Sequence, residues 1–173
     1  MINSGGEKVT MKLSADELFS TGKPINLPTV TLASEAGVKY TEGEDFTLTY
    51  YQVIEGADGE LTEIEVAKGN IKDIGTYAVV AKPTGNGVLS GDACAQFVVN
   101  PPILGDVDGN GVVDIRDVTA IQRHASEFNA VPCFEAADID GNGVVDIQDA
   151  TLIQRFLAEF DVPFTIGQPI AQS

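Results

Sequence analysis

The sequence predicts two modules of different class in one chain of 173 residues: an all-β antiparallel sandwich over residues 8–100, then a small all-α module over residues 106–170. Three observations predict it. Up to Asn100 the chain runs in short alternating segments rich in Val, Thr and aromatic residues, the period-two signature of strands with one buried face. Beyond Pro101-Pro102 a stretch of twelve residues rich in Asp and Gly occurs twice, 32 residues apart. Each copy is followed by apolar residues at helical spacing. Residues 1–7 read as a leader and residues 101–105 as a short linker.

Six segments read as strands: Val9–Leu13, Val30–Leu32, Phe46–Val53, Thr62–Val66, Gly75–Ala81 and Ala93–Val99. Ala57-Asp58-Gly59, Lys68-Gly69-Asn70 and the stretch Pro83 to Gly87 supply the Gly, Asn and Asp that reversals need. Asp16 to Phe19 reads as a single helical turn. Six such strands predict a sandwich of immunoglobulin-like class. Its ending, Asp73 to Val80 followed by Gly85 to Gly91 and a last strand, resembles the small bacterial Ig-like repeats of surface proteins.

The duplicated stretches are Asp106–Asp117 and Asp138–Asp149. Side-chain oxygens fall at positions 1, 3 and 5 (Asp106, Asp108, Asn110; Asp138, Asp140, Asn142) and again at 9 and 12 (Asp114, Asp117; Asp146, Asp149). Calcium takes six to eight oxygens, so a loop winding round it presents one at every second residue and fills position 7 with a backbone carbonyl, here Val112 or Val144. The reading is two Ca2+ ions, one per loop. Gly111 and Gly143 at position 6 make the turn, and Val113 and Val145 at position 8 are expected to pair the loops as a short ladder. Position 12 is Asp where the EF-hand pattern has a bidentate Glu.

Each loop runs into a helix. Val118, Ile121, Ala125 and Phe128, and in the second copy Ala150, Ile153, Leu157 and Phe160, form the expected core stripes. An EF-hand has a helix before its loop as well, but Pro101-Pro102-Ile103-Leu104-Gly105 leaves no space for one, and each repeat reads as a loop and its exit helix only. Apolar residues at both ends of this module, Ile103 and Leu104 against Val162, Pro163 and Phe164, are expected to bury each other.

The duplicated loop-helix unit, the Asp at position 12, the paired Ile121-Gln122-Arg123 and Ile153-Gln154-Arg155, and the tail Phe164 to Ile170 together resemble the dockerin family over about Leu104 to Ile170. The resemblance implies a calcium-dependent docking module that binds a cohesin module of a scaffold protein in a cellulosome-type, polysaccharide-degrading complex. It also implies a secreted protein, associated with the cell surface through that scaffold. Helical geometry places Ile115, Arg116, Thr119, Gln122 and Arg123 opposite the core stripe, as it does their copies Ile147, Gln148, Thr151, Gln154 and Arg155. These are positions where the family places its partner contacts, so the repeats predict two binding orientations. Leu152 and Phe156, where the other copy has Ala120 and His124, add an apolar bias toward one of them. A β-sandwich beside a dockerin is also similar to the X modules of cellulosomal proteins, which makes the sandwich a stabilising spacer.

Composition narrows the alternatives. The formal net charge is -16, and residues 104–173 hold 12 of the 26 acids but three of the ten Lys and Arg, which excludes nucleic acid as a partner. No apolar run approaches the ~18 residues of a membrane span. Met1 to Gly6 lacks the basic and apolar regions of a signal peptide, so the chain reads as a piece of a larger secreted protein. Cys94 and Cys133 fall in different modules and read as free, partly buried thiols. No catalytic set is found. Glu63 and Glu65 read as the charged outer face of a strand, and His124, the one histidine, as a surface imidazole. Two other functions stay open: a carbohydrate-binding sandwich tethered by the calcium module, with Tyr40, Tyr50, Tyr51 and Tyr77 as its aromatic candidates and no Trp, or a calcium sensor or buffer.

Overall fold

A computed structural model describes residues 1–171. It divides into two compact units: one comprises Met1–Glu17, Asn26–Ile71 and Gly75–Val98, and the other Leu18–Ile25, Lys72–Ile74 and the chain from Val99 on.

Apart from Leu18, Phe19, Val99 and Asn100, which fall in the second unit, the first unit holds the strands. In chain order these are β1 (Asn3–Ser4), β2 (Glu7–Leu13), β3 (Glu17–Phe19), β4 (Val30–Ser34), β5 (Lys39–Tyr40), β6 (Phe46–Glu55), β7 (Leu61–Val66), β8 (Gly75–Pro83) and β9 (Ala93–Asn100), and all six segments expected from alternation are among them. Two sheets result, with orders β1-β2-β4-β5 and β3-β9-β8-β6-β7. The register sets which side chains share a face. Tyr50 lies opposite Val79, Leu48 opposite Ala81 and Phe46 opposite Pro83 along the antiparallel β6–β8 pair. Phe46 and Ala81 from this sheet pack in one buried cluster with Val9 and Leu32 from the other, so the two sheets close face to face. Further along, the Phe97 ring stacks on Tyr77 at 5.5 Å and meets Tyr50 edge-on at 6.5 Å.

Two expectations for this half are corrected. Residues 16–19 are not a helical turn: Glu17–Phe19 are extended, with the Val98 N–H donating to the Asp16 carbonyl at 2.8 Å. A neighbouring strand satisfies backbone groups that one isolated helical turn cannot. Residues 1–7 are not a detached leader either. Ile2 is 1% exposed in the core, and Asn3 and Ser90 exchange backbone hydrogen bonds at 2.8 and 2.9 Å.

The second unit holds α1 (Ile115–Ala125), α2 (Phe134–Ala137) and α3 (Ile147–Leu157). Both long helices begin in capping boxes: Asp114 with Asp117, and Asp146 with Asp149, each satisfy two otherwise unpaired N–H groups. Val118, Ile121, Ala150 and Ile153 then meet in one core with Val107, Val131, Ile139, Val145 and Ile166. The expected stripes run no further. Each helix ends in a reversal through a left-handed residue, Glu127 at φ 60 and Glu159 at φ 58, with Phe128 N–H bonded to the Arg123 carbonyl and Phe160 N–H to that of Arg155. Phe128 and Phe160 therefore leave the helical register and stand 80% and 64% exposed, while Ala125 and Leu157 are also exposed.

The ends of this unit meet as expected. Ile103 and Pro169 form an antiparallel bridge, Leu104 N–H donates to the Gln168 carbonyl at 3.0 Å, and Gly167 N–H donates back to that of Leu104 at 2.8 Å. Leu104, Val162 and Phe164 pack on the core, so the residues read as a linker are partly structural. Two further expectations fail. No bridge joins Val113 to Val145 among the described residues, although both side chains pack in the core. A helix does precede the second loop, although α2 has only four residues.

Candidate metal centres and docking face

Each duplicated stretch folds into a loop closed by its own first and last carboxylates. In the first, Asp106 accepts from the Gly109 and Asn110 N–H groups at 3.0 and 3.1 Å and, through its other oxygen, from Gly111 at 2.8 Å. Asp117 accepts from Val107 and Asp108 at 2.8 and 3.1 Å with Oδ1, and from Asp114 at 2.8 Å with Oδ2. The second loop repeats the design: Asp138 accepts from Asn142 and Gly143, and Asp149 from Ile139, Asp140 and Asp146. The Asp at position 12 now has a reason. It is also the third residue of the helix, where a short carboxylate reaches back to the cap while staying fully buried.

These bonds leave lone pairs free, and the carboxylates converge. One oxygen from each of Asp106, Asp108 and Asp117 lies within 4.8 Å of the others, and the same holds for Asp138, Asp140 and Asp149. A hard cation with oxygen ligands fits such a donor set. Burial raises the pKa values of Asp106, Asp117 and Asp149, and neighbouring Asp117 and Asp108 push that of Asp106 the same way. That repulsion is what a divalent cation would remove.

Six of the twelve expected ligands are thus brought together as carboxylates. Asn110 and Asn142 sit beside them, the Asn110 amide donating to Asp108 and each Asn accepting from the N–H of position 7. Val112 and Val144 are 58% and 57% exposed, so only their carbonyls are candidates. Asp114 and Asp146 stand apart as helix caps. Arg116 binds Asp114 at 2.7 Å and holds its carboxyl below the usual range, whereas Gln148 takes the corresponding place in the second repeat. Position 9 serves through a water in many such loops, which agrees with a carboxylate set back from the cluster.

On the helices, Ile115, Arg116, Thr119, Gln122 and Arg123 are all exposed, as are Ile147, Gln148, Thr151, Gln154 and Arg155. Thr119 and Thr151 make the same bond, each hydroxyl donating to the carbonyl four residues back at 2.9 and 2.8 Å. Leu152 is half-buried against the core and Phe156 is 36% exposed beside Gly167, so these two serve packing as well as surface.

The family model of the dockerin type I domain matches residues 104–158. Both carboxylate clusters, both capping boxes and α1 to α3 lie within this dockerin-like region. No curated protein and no solved structure matches the chain. Among the described residues no helix is long and apolar enough to cross a membrane. Cys94 and Cys133 are free thiols; Cys133 is buried but Cys94, expected to be partly buried, is exposed.

The sequence offered no signal for one further contact with the first loop. Phe19 and Thr21, within the second unit, lie over Gly111 and Gly109.

Proposed function

We propose that residues 104–170 form a calcium-dependent docking module that binds a cohesin module of a scaffold protein, anchoring a secreted parent in a cellulosome-type complex. The observation that carries this reading is the coincidence of two matched carboxylate clusters with the stretch that matches the dockerin type I domain. Two Ca2+ ions would be held by Asp106, Asp108, Asn110, the Val112 carbonyl, Asp114 and Asp117, and by Asp138, Asp140, Asn142, the Val144 carbonyl, Asp146 and Asp149. The ions supply charge neutralisation and so folding energy. The chain supplies the rest: it orients α1 and α3 through caps built from the ligands themselves, which couples metal binding to the exposed helix faces.

The β unit is read as a stabilising spacer. Tyr50 and Tyr77 are buried beside Phe97, and Tyr40 and Tyr51 are half-buried, which favours the spacer over a sugar-binding platform. Cohesin contact is assigned to the Ile115–Arg123 face and to its copy Ile147–Arg155. Because the copies differ at the contact positions only in Arg116 and Gln148, either can dock. Replacing Gln122 and Arg123 by Ala, or Gln154 and Arg155 by Ala, should each leave cohesin binding largely intact, while the quadruple variant should lose it. Loss of binding in either pair alone would mean a single orientation; retention in the quadruple variant would remove these faces from the interface.

A further inference from the structure

We infer that the two loops, alike in sequence, differ in exchange: the Leu18–Ile25 segment covers the first loop and makes it the slowly exchanging, retained calcium site, leaving the second as the readily exchanged one. This rests on the calcium reading above. The contrast lies at equivalent glycines. A Cβ placed on Gly111 would lie 2.6 Å from Phe19 Cε2, and one on Gly109 would lie 2.8 Å from Thr21 Cγ2. At Gly141 and Gly143, which have the same left-handed backbone, nothing lies within 4 Å. Asp106 is buried while Asp138 at the same position is half-buried; at position 3 the order reverses, Asp108 being exposed and Asp140 half-buried, so the cover lies over the glycine turn and the first ligand.

The covering segment is anchored on three sides. Ser20 N–H donates to the Asn100 carbonyl at 2.9 Å, its hydroxyl donates to that of Lys72 at 2.8 Å, and Lys23 Nζ donates to that of Val131 at 3.0 Å. Release of an ion requires the glycine turns to peel their N–H groups away from the position-1 carboxylate. In the first loop those are Gly109 and Gly111 on Asp106, and they cannot move outward without displacing Phe19 and Thr21. The second loop opens into solvent. Differences of this kind appear mainly in dissociation rates.

The test is stopped-flow release of calcium from the loaded full chain into a fluorescent chelator. Two phases of equal amplitude are expected, separated by about tenfold or more. Replacing Asp106 and Asp108 by Ala should remove the slow phase, and replacing Asp138 and Asp140 by Ala the fast one. Phe19→Ala with Thr21→Ala should bring the slow phase to within about threefold of the fast one, with the helical circular dichroism unchanged, and Phe19→Leu should restore much of the separation. A single rate, a slow phase belonging to the second loop, or a slow phase indifferent to Phe19 and Thr21 would overturn the inference while leaving calcium binding intact. Failure of the full chain to load any calcium would overturn the calcium reading, and this inference with it. A second measurement does not depend on rates. The chain has no Trp, so in Phe19→Trp the new indole should sensitise terbium luminescence that Asp106→Ala abolishes and Asp138→Ala spares; the reverse pattern would refute the placement.

Discussion

Replacing Gly105 by Ala tests the closure of the stretch from Ile103 to Pro169 where its two ends meet. Gly105 has φ +94°, and its N–H donates to the Ala136 carbonyl at 2.9 Å, so the backbone cannot rotate away without losing that bond. An L-residue in this left-handed conformation costs about 1–2 kcal/mol. The added Cβ would stand 2.8 Å from Ile166 Cγ2 and 3.2 Å from Val113 Cγ1. Ile166 is 5% exposed within the core and has no free space to enter, so overpacking adds roughly 1–3 kcal/mol. The sum is about 2–5 kcal/mol, and at ~4–8 °C per kcal/mol for a unit of this size the calcium-loaded Tm should fall by about 8 °C or more. The assay is thermal unfolding followed by the helical circular dichroism of the full chain. Gly167→Ala is the control, because Gly167 has φ +85° but its nearest neighbour, Phe156 Cζ, is at an ordinary 3.6 Å. A Gly105→Ala drop no larger than that of Gly167→Ala would show that the ends are not packed as described.

Chelation of calcium should cost the full chain much of its helical signal, because the converging carboxylates then repel across a small core; an unchanged spectrum and Tm would refute metal-coupled folding. Glu127→Gly and Glu159→Gly should each raise the loaded Tm, by about 4–8 °C for the ~1 kcal/mol of left-handed strain relieved, and a fall would show that the side chains outweigh the strain. Acidity should narrow the gap between calcium-loaded and calcium-free Tm. The raised pKa values of Asp106, Asp117 and Asp149 mean that the calcium-free fold is favoured by protonation and loses that advantage as pH rises through them, whereas calcium requires the ionised form. A gap unchanged between neutrality and about pH 4 would contradict this.

The repeats were legible because their chemistry is local. Ligand spacing and the Val118/Ile121 and Ala150/Ile153 pairs are each set within a dozen residues, whereas the second role of Asp114, Asp117, Asp146 and Asp149 as helix caps went unread. The strands were legible for the same reason, since alternation in β2 and β9 reports burial directly. What escaped depends on distant partners. Glu17–Phe19 looks helical until a neighbouring strand is available, and Ile2 looks dispensable until the core it fills is known. Phe128 and Phe160 continue the apolar stripe in sequence, yet nothing in the pattern announces the left-handed glutamate before each. The placement of Phe19 over Gly111 joins positions 92 residues apart and leaves no periodic trace.

The central claim is that this chain docks to a cohesin and that calcium makes the docking surface. Isothermal titration of the full chain against a panel of cohesin modules, first in calcium and then in excess chelator, tests it most directly. The account predicts one-to-one binding to at least one cohesin in calcium and none in chelator, with recovery when calcium is restored. Binding that persists unchanged in chelator, or no binding to any cohesin by a chain shown to hold two calcium ions, would contradict it.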